Sequence, residues 1–162
     1  MEYQYTICFI KRGEQILLLN REKSPWMGIW NGVGGKIEEN EYPMESALRE
    51  VKEETGMELQ SIDYKGVVSW FVDGKCVGGM HAFIAEIPDT YEYYTPIKAE
   101  EGILDWKDLS WILHPDNAGL ANLSYFLPKM LEDSGQYNYQ LEYQDDDVVD
   151  FKIKAMEEMA FL

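Results

Sequence analysis

"GGKIEENEYPMESALREVKEETG", residues 34–56, sets seven glutamates behind a glycine pair and places a single Arg-Glu step among them. Pro43 stands where the first turn of a helix begins and Gly56 where one stops, so the stretch predicts a helix over Pro43–Thr55. At roughly 100° per residue, Ala47, Leu48, Val51 and Thr55 share one side, suited to packing on a sheet. Glu50, Glu53 and Glu54 crowd the adjacent side at i,i+3 and i,i+4 spacing, where like charges destabilise a helix by roughly 0.2–0.5 kcal/mol per pair. Solvation, with Arg49 pairing to Glu45 and Glu53, would make this an ordinary acidic face. The glycine loop running straight into the helix argues for more. Bare backbone lets carbonyl oxygens and carboxylates converge on one point, and hard divalent cations such as Mg²⁺ take oxygen shells of that kind, completed by substrate phosphates.

Outward from the helix, the chain alternates strands and helices without a strict βαβ rhythm. Tyr3 to Ile10 and Gln15 to Leu19 read as a hairpin around Lys11-Arg12-Gly13-Glu14, and Asp63 to Val72 with Val77 to Ile87 as a second around Asp73-Gly74-Lys75. Arg21 to Gly35, punctuated by Gly28, Asn31-Gly32 and Gly34-Gly35, reads as an ordered loop, and Pro88 to Glu101 as a polar, aromatic one. A strand is expected over Ile103 to Trp106, a short helix over Lys107 to Leu113, and a second over Ala118 to Glu132, complicated by Pro128. Tyr137 to Tyr143 and Val148 to Ile153 close the chain as a hairpin turning at Asp145-Asp146-Asp147, a solvated turn rather than a calcium loop. The tail from Ala155, with Met156, Met159, Phe161 and Leu162, carries apolar groups that could dock on the core or on a partner subunit, a choice the sequence does not make. The expectation is an α/β fold with a mixed β-sheet and helices on its faces.

With 162 residues, the whole of 1–162 is expected to form a single domain. Lys and Arg total 14 against 30 for Asp and Glu, a net charge of −16, which repels long nucleic acid and makes an anionic substrate depend on a cation as intermediary. Cys8 and Cys76 are the only cysteines and read as core thiols. No apolar run approaches the roughly 20 residues that span a bilayer, and the first residues lack an export pattern, so no membrane partner and a cytoplasmic location are expected. His81 and His114 have no second His or Cys at metal-ligand spacing and read as structural or exposed. Oligomeric state is not legible.

Gly35, five residues, Glu41, seven residues, Arg49-Glu50-Val51, one residue, Glu53-Glu54, one residue, Gly56 and the apolar Met57 fill every fixed position of the Nudix box. The chain therefore resembles the Nudix hydrolase family, and beyond the box it is similar to the MutT-type 8-oxo-dGTP diphosphatases. Tyr5-Thr6, Trp30-Asn31-Gly32 and the last helix with its hairpin resemble mammalian members, while Ala121-Asn122 is similar to a base-reading position of bacterial ones. The resemblance implies a Nudix α/β/α sandwich and Mg²⁺-dependent hydrolysis, with Mn²⁺ an alternative ion, of a nucleoside diphosphate linked to a further group. It implies Glu50, Glu53 and Glu54 as metal carboxylates and the carbonyl of Gly34 as a backbone ligand. Arg49 and Glu41 then support the box structurally. Glu101, five residues before Trp106, corresponds to a metal-binding or base glutamate, with Glu100 its rival.

Such chemistry needs charge neutralised and water activated, both supplied by divalent metals, and a side chain to take the proton, Glu53 or Glu101. Lys36 and Arg21 are the candidates for the phosphates. For the base, 8-oxoguanine carries a proton on N7 and offers a donor beside the O6 acceptor, a pair that a carboxamide answers. Asn31 and Asn122 are the candidates, Thr6 enters by resemblance, and Trp26, Trp30, Phe71 and Phe83 could form a stacking wall. Mammalian members read the base with two aspartates near the last helix, where this chain has Asn122-Leu123, so a guanine-directed rather than adenine-tolerant site is expected. The leading function is hydrolysis of 8-oxo-dGTP to 8-oxo-dGMP and pyrophosphate. Another small-molecule substrate (a different dNTP, a nucleotide sugar, a pterin triphosphate), an RNA 5′ end, or a non-catalytic nucleotide-binding module is the alternative.

Overall fold

Ten strands, among the residues described, join in one mixed sheet whose order is β10-β9-β5-β6-β1-β2-β8-β7, with β4 added to β1 and β3 to β2. The computed structural model describes residues 3–24 and 26–156, so Met159, Phe161 and Leu162 of the expected docking tail lie outside it. The strands are β1 (Tyr5–Arg12), β2 (Gln15–Arg21), β3 (Trp30–Asn31), β4 (Val33–Lys36), β5 (Asp63–Val72), β6 (Lys75–Ile87), β7 (Ile97–Ala99), β8 (Gly102–Asp108), β9 (Tyr137–Gln144) and β10 (Asp147–Ala155). The helices are α1 (Pro43–Thr55), α2 (Leu109–Ile112) and α3 (Leu127–Glu132). Pairs β1/β6 and β5/β9 are parallel, the others antiparallel.

Strand alternation divides the core in two. On β1, Cys8 and Ile10 face one way and pack with Ala47 and Val51 of α1, while Ile7 and Phe9 face the other and pack with Ile112, Phe126, Leu127 and Met130. Helices thus cover both faces, the α/β/α sandwich that the resemblance implies. Burial pushes the Cys8 thiol up to about 12, in keeping with an inert core residue. No helix among the described residues is long and apolar enough to cross a membrane.

α1 has the predicted bounds. Glu45 accepts a hydrogen bond from the backbone N–H of Tyr42 at 3.1 Å, Pro43 occupies the first turn, and Gly56 closes the helix at φ 80° with its N–H on Lys52 O.

Four sequence readings are corrected. The expected loop Pro88–Glu101 holds β7, which pairs antiparallel with β8 from Ile97↔Leu104 to Ala99↔Gly102. The loop Arg21–Gly35 contains two short strands. β1 and β2 pair only near their shared turn, from Ile10↔Leu17 to Arg12↔Gln15, and β4 lies along β1 where β2 has left it, with β3 along β2. Glycine permits this: a Cβ on Gly34 would collide with the Thr6 carbonyl. The expected helix from Lys107 begins only at Leu109, because Lys107 and Asp108 still pair with Ile16 and Gln15. The expected helix Ala118–Glu132 is broken. Trp30 holds residues 119–121 extended through hydrogen bonds to Gly119 O and from the Ala121 N–H; Asn122 is left-handed at φ 60°, and only after a 3-10 turn does α3 start, with Pro128 in its first turn.

Candidate active site

The parting of β1 and β2 opens a cleft of about 560 Å³, floored by Thr6, Gly32, Gly34 and Gly35 and walled by Arg21, Lys36, Glu50, Glu101, Trp26 and Trp70. Asn31, Trp26, Trp70 and Met80 also line a second compartment of about 310 Å³, otherwise formed by Val68, Val72, Ala121, Phe126, Leu141, Tyr143 and Asp145. One end of the cleft is therefore glycine and carboxylate, the other aromatic and aliphatic.

At the acidic end, Arg49 is the hub. Its Nε and Nη2 grip Glu41 at 2.7 and 2.9 Å, its Nη1 reaches Glu50 at 3.0 Å and Glu53 at 3.2 Å, and Nη2 also donates to the Lys36 carbonyl at 3.2 Å. This ties α1 to β4, and the Arg49 hydrogen bonds hold the Glu41 carboxyl down at about 2. A Cβ on Gly35 would stand 2.5 Å from Glu50 Oε1 and would displace that carboxylate. Glu50 is raised by burial, against the pull of Arg49, with Glu53 and Glu101 adding to the rise. Glu54 is raised to about 9 by burial and then by the charges of Glu50 and Glu101, with the Gly34 backbone opposing. Its Oε2 is buried without a hydrogen-bond partner. A buried acceptor with no donor, beside another rising carboxylate, is what a cation would neutralise. Among the described residues no three His, Cys, Asp or Glu side chains converge as a finished cage. Glu53 is drawn out to Arg49 with 57% of its side chain exposed, and Glu101 is drawn to Arg21 at 3.0 Å.

The sequence-predicted residues separate accordingly. Gly34, Glu50, Glu101, Arg21, Lys36, Thr6 and Asn31 line the main cleft. Glu54 interacts with Glu50 and Glu101 from behind it, and Glu53, Glu41 and Arg49 form its support. Glu100 is exposed in the turn and lines neither compartment. Thr6 Oγ1 lies 3.4 Å from Ser46 Oγ. Asn31 accepts the Gly32 N–H at 2.8 Å through Oδ1. Asn122 lines neither compartment; its Nδ2 donates to the Tyr143 hydroxyl at 3.2 Å. Of the expected stacking wall only Trp26 is present. Phe83 is in the α1-side core, Phe71 faces elsewhere, and Trp30 packs edge-on to Trp111 with Lys107 over its ring. Trp70, Met80, Tyr143 and Asp145 were not singled out for this cleft by the sequence; strand alternation on β5 and β6 was the signal available for the first two.

Comparison with known proteins agrees with this geometry. The family model described as NUDIX domain matches residues 3–133. The chain is 29% identical over 150 residues to the oxidized purine nucleoside triphosphate hydrolase of Mus musculus, covering 90% of this chain and 89% of that protein. It is 30% identical over 106 residues to an uncharacterized Nudix hydrolase of Bacillus subtilis, covering 65% of each. Among solved structures it is similar to the MutT protein of Bacillus halodurans, with a TM-score of 0.71 and 26% identity over 92% of this chain and 95% of that one.

Proposed function

The chain belongs to the Nudix family and is a pyrophosphohydrolase, and from that premise we propose that it converts 8-oxo-dGTP to 8-oxo-dGMP and pyrophosphate. The observation that carries this reading is the position of Asn31, which lines both the polar cleft and the apolar compartment. A triphosphate can lie at the carboxylate end while its base enters between Trp26 and Trp70. The second compartment, near the small end of ligand pockets at about 300 Å³, suits a base rather than a whole nucleotide. With Oδ1 already accepting the Gly32 N–H, the Asn31 carboxamide keeps one lone pair and both Nδ2 hydrogens. The lone pair answers the N7–H of the oxidised base and an Nδ2 hydrogen its O6. Ordinary guanine would set its bare N7 against Oδ1, a mismatch of about 1–3 kcal/mol. The oxidized purine nucleotide hydrolase of the mouse, similar over nine-tenths of the chain, supports the same substrate class.

Nudix hydrolases generally work with a divalent metal, and Glu50, Glu53, Glu54, Glu101 and the Gly34 carbonyl are the groups that would hold Mg²⁺, or Mn²⁺, here. When bound, the cation supplies charge neutralisation on the phosphates and a more acidic water. The protein's own groups do the rest. Arg49 fixes Glu50 and Glu53 relative to the glycine strand, Arg21 and Lys36 present cations to the phosphates, and Glu53 or Glu101 takes the proton of the attacking water. Trp26 and Trp70 exclude solvent from the base. Turnover and product analysis over a nucleotide panel tests the substrate. 8-oxo-dGTP should be preferred over dGTP by about 10-fold or more, with pyrophosphate released; equal turnover of the two would overturn the reading.

A further inference from the structure

The second compartment is lined by apolar and aromatic side chains except for three groups: the Asn31 carboxamide, the Tyr143 hydroxyl and the Asp145 carboxylate. Only one of them is an obligate acceptor. Asn31 Oδ1 accepts the Gly32 N–H and keeps one lone pair beside two Nδ2 hydrogens, and the Tyr143 oxygen accepts Asn122 Nδ2, which leaves its own hydrogen to donate. The Asp145 side chain, exposed at the mouth of the compartment, has no hydrogen bond or ion pair among the described residues. Asp145 is the first of the two residues linking β9 to β10 and sits in the left-handed region at φ 56°. The turn itself would be served as well by Asn or Gly, which adopt that conformation more readily. Neither would bring an acceptor-only group to the pocket.

A carboxylate at the edge of an otherwise apolar base-sized pocket favours a ligand edge carrying two adjacent N–H donors. Guanine-type bases have one, with N1–H beside the N2 amine. Adenine-type bases set a bare N1 acceptor in the corresponding place, and a carboxylate repels it. We propose that Asp145 is a specificity-determining residue, supplied from the β9–β10 turn, that selects guanine-type over adenine-type nucleotides by accepting hydrogen bonds from the N1–H and N2 amine of the base. This rests on the reading that the base occupies the compartment. It adds a second edge to the recognition: Asn31 separates oxidised from ordinary guanine at N7 and favours O6 over an amine, whereas Asp145 reads N1 and N2 on the opposite side of O6.

The test is calorimetric binding of 8-oxo-dGMP and 8-oxo-dAMP to the full chain and to two variants, each checked by circular-dichroism melting. Asp145→Asn keeps a side chain that tolerates the left-handed turn while losing one acceptor. It should weaken 8-oxo-dGMP by about 10-fold or more and leave 8-oxo-dAMP unchanged or tighter, narrowing the preference by at least that factor. Val72→Trp, at a half-exposed position on the same wall, fills the compartment and should weaken both nucleotides. If Val72→Trp blocks both but Asp145→Asn leaves the preference undiminished, the base is in the compartment and the role given to Asp145 is wrong. If Val72→Trp leaves both affinities intact, the base lies elsewhere and the placement falls together with the inference, while the turnover panel still decides the substrate.

Discussion

Glu41 and Glu54 belong to the same charged stretch, yet their surroundings drive them in opposite directions. Glu41 accepts from Nε and Nη2 along one edge of the Arg49 guanidinium, keeps 12% of its side chain exposed and is held at about 2. Glu54, at the far end of α1, has burial and two carboxylate neighbours, no cation, and a buried oxygen without a partner, and it rises to about 9. One arginine therefore completes the scaffold but leaves the site in charge deficit. A scaffold carboxylate is neutralised by the protein, whereas a working one is left for something that arrives with the substrate.

The sharpest way to break that division is at Glu53, which Arg49 touches at one oxygen while 57% of the side chain stays exposed. Glu53→Gln keeps the shape and removes the charge. Whether the residue serves as cation ligand or proton acceptor, kcat in Mg²⁺ should fall by about 100-fold or more with an unchanged melting temperature. A mutant with full activity would move Glu53 into the scaffold class. Arg49→Ala should cost the fold instead, by about 2 kcal/mol in urea unfolding, because it strands Glu41 next to its helix; the figure is at the low end for a broken buried pair since the cluster lies close under the surface. A double-mutant cycle sharpens the contrast: Arg49 and Glu41 should couple by about 1 kcal/mol or more, Arg49 and Glu54 by close to nothing.

The scaffold half of this comparison was legible in the sequence and the working half only in part. Pro43, Gly56 and the apolar spacing located α1, and the box spacing named its glutamates, because helix signals and i,i+4 geometry are local. Hairpins at Asp73-Gly74 and Asp145-Asp146 were equally local. What lay beyond reach was convergence. The depth at which Glu54 sits depends on β4 closing against β1, a contact between residues about 28 apart that glycine permits but does not announce. Trp70 and Met80 were read only as strand residues: alternation on β5 and β6 puts them on one face of their strands but does not say that this face meets a cleft. Asn122 was a base candidate because Ala121-Asn122 resembles a base-reading position of bacterial members; its backbone is left-handed and its amide donates to Tyr143. Asp145 reaches the compartment from a turn more than 110 residues beyond Asn31, and as one of three aspartates it looked like solvated charge.

A last measurement sets Glu41 and Glu54 directly against each other: the stability of EDTA-treated protein as a function of pH. Glu54 is raised, so between its unfolded value near 4.5 and its folded value near 9 the native state holds a proton that the unfolded chain has released. Stability is then complete below about pH 4.5 and declines as pH rises toward 9, by at most about 1.4 kcal/mol per unit for one proton. Glu41 is depressed, so its contribution is complete above about 4.5 and is lost as pH falls toward 2. The two windows meet at the ordinary carboxylate value, and the melting temperature should peak near there and slope down on both sides. Glu54→Gln should flatten the alkaline limb alone and Glu41→Gln the acid limb alone. Saturating Mg²⁺ should do to wild type what Glu54→Gln does to the chelated protein, because a cation at that carboxylate removes the reason to hold the proton. An alkaline limb unchanged by both would mean that the Glu54 carboxylate is neither strained nor part of the cation site.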